Sequence, residues 1–321
     1  MKNQFFISLA LFLFSAAAIA QNVQPENVIE VFTTVKGSKS SQRTILFFNY
    51  SEQDCLIKKT WIEQDSGGVF KITDPVSNLS VSRGNSFTLK VIFTPSSNHV
   101  GIFTANLLVS SSLSDTPTRV KLKGLSVQGL EGKNEPALST ILELLNYNIN
   151  IGWDNLANHT KPQLLGNEIE ASIFARASQL KPVEMLPIAR FSPDFKLPFG
   201  YYKPTDKTMP KLYEVGKLDA AGDHHQHQTT YPELVSGNTV FEPVVPEFGL
   251  FTYSPSHIAF TEDFLNQKFY PLQTAHATRV YPLNDANGKR IDNQFLICFE
   301  EAKNGDYQDY VFILKNVNVI K

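Results

Sequence analysis

A two-residue rhythm constrains this chain more than any other feature. Phe87, Leu89, Val91 and Phe93 are apolar, while Ser86, Thr88 and Lys90 between them are polar. Successive side chains of a strand point to opposite faces, so this run buries one face and wets the other. Short β-rich runs of the same kind recur at Val28–Val35, Thr44–Asn49, Cys55–Glu63, Val69–Thr73, Ser86–Thr94, Gly101–Ser110 and Thr118–Gly124. Gly67-Gly68, Arg83-Gly84-Asn85 and Pro95-Ser96-Ser97-Asn98 punctuate them as turns. Seven strands in about 100 residues fit an immunoglobulin-like sandwich. It is expected over residues 22–126.

Composition narrows the class further. The 24 Phe and 11 Tyr favour β-structure, and 42% hydrophobic content is enough to build cores. A length of 321 residues suits two domains. Basic and acidic residues nearly balance, 29 against 31. No field strong enough to hold nucleic acid or an anionic membrane follows from that. Two cysteines exclude a disulfide framework, and Cys55 and Cys298 fall in different expected domains.

Residues 1–20 read as a signal peptide. Lys2 supplies the positive start, Phe5–Ala18 is apolar, and Ala18-Ile19-Ala20 is a small-x-small cleavage site before Gln21. The mature chain is therefore expected outside the cytoplasm, secreted or periplasmic. No membrane insertion is expected after cleavage, because no other segment reaches ~18 continuous apolar residues.

Residues 127–135 read as a linker, with Gly129 and Gly132. Pro136 marks a helix start, and Leu138, Ile141, Leu142 and Leu145 share one face of that helix. This one short helix at the junction is expected to pack on the core of a second domain, 136–321. Strands are expected there at Glu168–Ala175, Val183–Phe191, Phe199–Tyr202, Phe248–Ser254, Thr278–Pro282, Gln294–Glu301 and Tyr310–Val319. Asn287-Gly288 and Asn304-Gly305 lie between the last strands and signal hairpins. The chain should end in a three-stranded meander within a jelly-roll-like β-sandwich, so that the whole protein is all-β.

The most chemically loaded stretch is the last turn. Glu300, Glu301, Asn304, Asp306 and Asp309 place four carboxylates and an amide close together. Like charges at this spacing repel, and a hard cation relieves them. Calcium takes six to eight oxygens. The same stretch also suits a solvated polar turn. Strand alternation places Glu301 on the face of Phe299 and Glu300 opposite, so both serve one site only if the strand bends.

Two resemblances bear on this reading. Ser86–Pro95, Gly101–Ala105 and Val120–Gly124 resemble Hydin-type, or choice-of-anchor, immunoglobulin-like domains. That resemblance implies a spacer or interaction module without a catalytic site. Phe248–Phe251, Phe260–Asn266, Arg279–Tyr281, Phe295–Glu301 and Gly305–Phe312 are similar to a family of unknown function in exported bacterial proteins. Pro198–Tyr202 also fits, and Gly129–Pro136 resembles the join where the two families are fused. The second resemblance implies calcium at the acidic cluster, with Glu300, Glu301, Asp306 and Asp309 as ligands. Gln308 stands where many relatives have asparagine.

Other chemistries find little footing. His224, His225 and His227 form a polar run that reads as an exposed loop rather than a zinc site. His99, His159, His257 and His276 are isolated and have no assigned role. Gly-x-Ser-x-Gly elbows and glycine-rich phosphate loops are absent. The expectation is an exported, non-catalytic interaction or adhesion-type module with calcium in its C-terminal domain and a protein or glycan partner at the cell surface. One alternative is a carbohydrate-binding lectin-like protein, with aromatics of the loop Phe199–Tyr213 stacking on a sugar ring, although Tyr201 and Tyr202 read more readily as ordinary rim packing. A second is a hydrolase with an unrecognised two-carboxylate site.

Overall fold

The computed structural model describes residues 23–320 apart from 66, 131, 157, 206–207, 220–227 and 302. The signal peptide expected at 1–20 and the His224–His227 run lie outside the described residues.

The alternating run forms a strand at Ser86–Phe93, at the heart of a four-stranded sheet. Its order is Val23–Pro25, Arg43–Asn49, Ser86–Phe93, Phe70–Ile72. A five-stranded sheet faces it, in the order Ile29–Val35, Thr118–Val127, Gly101–Ser111, Cys55–Glu63, Leu79–Val81. Phe47, Leu89, Val91, Phe93, Leu107 and Leu122 meet between the sheets and exclude water. The seven expected strands all form. The structure adds Val23–Pro25 and Leu79–Val81, each too short to carry a readable period. Ile29–Val35 pairs with Thr118–Val127 in parallel, from Ile29 opposite Lys121 to Val35 opposite Val127.

The second sandwich also has two sheets. One runs Leu234–Gly237, Leu212–Leu218, Leu197–Tyr202, Glu247–Tyr253, Phe174–Arg176, Val317–Val319, with Ile258–Phe260 attached to Glu247–Tyr253. The other runs Thr229–Thr230, Val183–Arg190, Tyr310–Lys315, Arg290–Phe299, Thr278–Asn284, with Val240–Phe241 attached to Val183–Arg190. The chain crosses repeatedly from one sheet to the other, as a jelly-roll-like sandwich requires. Its last three long strands make the expected antiparallel meander.

The apolar run Phe295–Phe299 is explained by burial on both faces. Phe295, Ile297 and Phe299 join the core between the sheets, while Leu296 and Cys298 face a second cluster outside it. Helix α1, Leu138–Leu144, closes that outer cluster with Leu138, Ile141 and Leu142. Leu144 turns the other way and meets Val31, Leu125 and Val127 of the first sandwich. The helix therefore packs on the second core, as its spacing indicates, and also touches the first. A second short helix, α2 at Asp263–Phe269, was not expected.

Three local expectations differ from the structure. Of Glu168–Ala175, only the end is a strand, at Phe174–Arg176. Tyr310–Val319 is broken at Asn316, whose φ is 61°. At the Asn287-Gly288 turn, Gly288 has a φ of 76° but Asn287 stays outside the left-handed region. One flexible residue is enough there because the pairing slips between Pro282 and Asn284, which absorbs the twist.

Candidate metal centre

Phe299 pairs with Tyr310, so residues 300–309 form the whole connection between the last two meander strands. The tight hairpin expected at Asn304-Gly305 does not form. Gly305 instead lets the loop fold inward, with a φ of 71°, and a Cβ there would stand 2.5 Å from the backbone nitrogen of His159. Asn158 and His159 donate backbone N–H groups to the carbonyls of Asn304 and Gly305.

Folding inward buries the acids. Glu300 is 0% exposed, Asp306 1% and Asp309 5%. Among the described residues these three form a group in which one carboxylate oxygen from each lies within 4.8 Å of the other two. Glu300 Oε2 accepts the backbone N–H groups of Asp306 and Tyr307 at 3.0 and 3.2 Å. Asp309 Oδ2 accepts the N–H of Glu301 at 2.5 Å, and Asn304 Nδ2 donates to Asp306 Oδ2 at 2.6 Å. Glu301 leaves the group. Its carboxylate accepts the Tyr310 hydroxyl at 2.5 Å, and Tyr310 shares the inner core with Phe299. Strand alternation thus separates the two glutamates, and the strand does not bend to reunite them.

Burial pushes the Asp306 carboxyl up to about 6, against the hydrogen bonds of Gln308 and of the turn's backbone. Burial also raises Asp309 well above the carboxylate range, and the charges of Glu300 and Asp306 add to the rise. Glu301 is raised by burial, although Tyr310 and Arg190 oppose the shift. Among the described residues, Asp306 Oδ1 and Gln308 Oε1 are buried acceptors without a hydrogen-bond partner. Such orphans cost about 1–3 kcal/mol each. A divalent cation would satisfy an orphan oxygen and neutralise the crowded charge. The donor set is all oxygen, which suits a hard divalent cation, and Glu300, Asp306 and Asp309 are the residues that would hold one.

Sequence reasoning missed the network that braces this turn. Arg279 is 0% exposed, pairs with Glu168 and donates to the carbonyls of His159, Lys161 and Gln163. Its guanidinium lies 4.9 Å from the ring centre of Tyr307 and 5.5 Å from that of Trp153. Tyr307 donates its hydroxyl to the carbonyl of His276 at 2.5 Å. His276 in turn meets Asp263 through Nδ1 at 2.8 Å and Glu168 through Nε2 at 3.3 Å. Burial works against a charged imidazole, yet the hydrogen bonds to Asp263 and Glu168 prevail and its pKa is raised. The group borders a cleft of about 450 Å³ lined by Glu168, Glu170, Glu262, Asp263, Phe264 and His276. His276 and Glu168 are 108 positions apart in the chain, so no local motif announces them.

The aromatic platform imagined for a sugar is not available at Tyr201 and Tyr202. These rings are 5% and 0% exposed. Tyr201 stacks between Tyr213 and Phe241, each 4.9 Å away. Tyr202 turns inward and donates its hydroxyl to Glu262 at 3.2 Å. Both rings fill the sandwich rim. Cys55 and Cys298 are buried and free.

No family model and no curated protein matches this chain. Among solved structures, it is similar to the ASH / PapD-like domain 7 of human CEP192, at 14% identity and a TM-score of 0.27, over 40% of this chain and 98% of that one. It is also similar to the YadV chaperone, at 12% identity and a TM-score of 0.26, over 73% of this chain and 94% of that one. The E. coli chaperone DraB aligns at 14% identity and a TM-score of 0.27, over 35% of this chain and 57% of that one. Likenesses this slight carry no weight for what the chain does.

Proposed function

We propose that the chain is an exported, non-catalytic interaction module of two joined β-sandwiches, with calcium held at the acidic turn of the second. The observation that carries this reading is the inward turn, where three carboxylates converge within 4.8 Å while at most 5% exposed. Groups sealed to that degree suit an ion enclosed by the fold, whereas a reacting carboxylate must meet its substrate. The resemblances to a Hydin-type spacer and to the exported family of unknown function support the same role. Its partner is a protein or glycan met outside the cytoplasm. Among the described residues no helix is long and apolar enough to cross a membrane.

Calorimetric titration and thermal melting of the mature protein, in calcium and in chelator, test the reading. Calcium at 100 times its Kd should add about 2.7 kcal/mol. Asp309→Asn should lose that response. No binding heat and no change in melting at millimolar calcium would refute the metal assignment.

A further inference from the structure

Gln308 lies between two of the three clustered carboxylates in the chain, Asp306 and Asp309, and its side chain is fully buried. It does not end its contacts within the turn. Gln308 Nε2 donates to Glu135 Oε2 at 2.7 Å, across 173 positions of sequence. A carboxylate only accepts, so the amide must present its NH2 end to Glu135.

Glu135 belongs to the segment that joins the two sandwiches. Its other oxygen, Oε1, accepts the N–H of Gly132 at 3.2 Å, and its own N–H donates to the Gly132 carbonyl at 3.0 Å. These bonds close the short 3-10 turn Gly132–Asn134. Gly129 N–H donates to the Asn134 carbonyl at 3.0 Å, which ties down the other side of that turn. Leu130, just before it, packs with Leu144 of α1 and with Leu125 and Val127 of the first sandwich. One side chain therefore connects the acidic turn to the joint between the domains.

We propose that Gln308 couples the acidic turn to the linker, so that a cation held by Glu300, Asp306 and Asp309 also fixes the Gly132–Asn134 turn and with it the joint. The inference rests on the cation reading above. The physical route is short. Fixing the carboxylates of residues 306 and 309 leaves the backbone of 308 no freedom, and a fixed amide holds Glu135 in the one position where it also caps Gly132. With the cation removed, repulsion among the buried acids loosens the turn, and the loosening passes through the same amide. Glutamine reaches Glu135 from this position, and a side chain shorter by one methylene would fall short by about 1.5 Å.

Hydrogen exchange on the mature protein in calcium and in chelator, paired with calorimetric titration of calcium, tests the coupling. Calcium should slow exchange in residues 129–136 by about tenfold or more, alongside that of 300–309. In Glu135→Ala, calcium should still bind and still protect 300–309, while the linker no longer responds. Glu135→Met, which keeps the length and removes both acceptor oxygens, should behave in the same way and covers the case in which the first variant does not fold. Binding heat with protection of 300–309 but an unchanged linker in the unmodified protein would overturn the coupling and leave the cation reading standing. A silent titration would overturn both.

Discussion

Asp306 is where packing and charge conflict most sharply. The fold buries its carboxyl, raises it to about 6, and leaves Oδ1 without a partner among the described residues. Asp306→Asn removes the charge and keeps the shape. In chelator at neutral pH it should therefore melt higher than the unmodified protein, by about 1–3 kcal/mol of stability. In calcium the order should reverse, and a variant that melts lower in both conditions would overturn this account. His276 sets a second residue-scale expectation. Its folded pKa is raised, so its contribution is fully present below the unfolded value of about 6.5 and is lost as pH rises through the folded value. Stability should fall above about pH 6.5, and His276→Gln should flatten that fall when melting is followed across the range. The acids were legible in the sequence because they are neighbours in the chain, and alternation correctly separated Glu301 from Glu300. His276, Glu168 and Arg279 were not, because folding alone brings them together. Tyr201 and Tyr202 pack at the rim, the reading the sequence favoured, with Tyr201 covered by Tyr213 and Phe241.

At the scale of elements, period-2 patterns located most of the long strands, while Leu212–Leu218 and several pieces decided by single residues escaped. Asn316 is one. The expected strand Tyr310–Val319 turns a corner there, with a φ of 61°. Asn316 Nδ2 donates to the carbonyls of Ser178, Lys181 and Pro182, and Oδ1 accepts the Ser178 N–H. A polar residue that reads as an ordinary strand position thus closes a loop more than a hundred residues upstream. Asn316→Ala should cost about 2–4 kcal/mol, measured by denaturant melts, because it strains the backbone and orphans several groups. Glu168–Ala175 failed as a strand for a related reason. Its first residue is spent on Arg279 and His276, and the Ile169 N–H donates to the Val280 carbonyl outside any regular ladder. Short strands such as Leu79–Val81 carry too few residues to show a period at all.

At the scale of the whole molecule, the joint is more built than its glycines suggested. Lys123, 4% exposed, leaves the first sandwich and donates to the carbonyls of Glu143 and Leu144 and to Asn146 Oδ1, at the C-terminal end of α1. A cation there satisfies carbonyls that a helix leaves open. Thr33 and Arg43 reach across to Thr230 as well. Lys123→Met should let the two sandwiches unfold separately, seen as two calorimetric transitions where one is expected of the unmodified protein. A single unsplit transition would count against the joint as a coupling element. The parallel pairing of Ile29–Val35 with Thr118–Val127 has a mechanical consequence. Tension entering before Ile29 and leaving after Val127 drags those neighbours past each other lengthwise. Their hydrogen bonds are then loaded together in shear rather than peeled one at a time, so the first sandwich should resist pulling far better along this axis than its thermal stability alone would suggest.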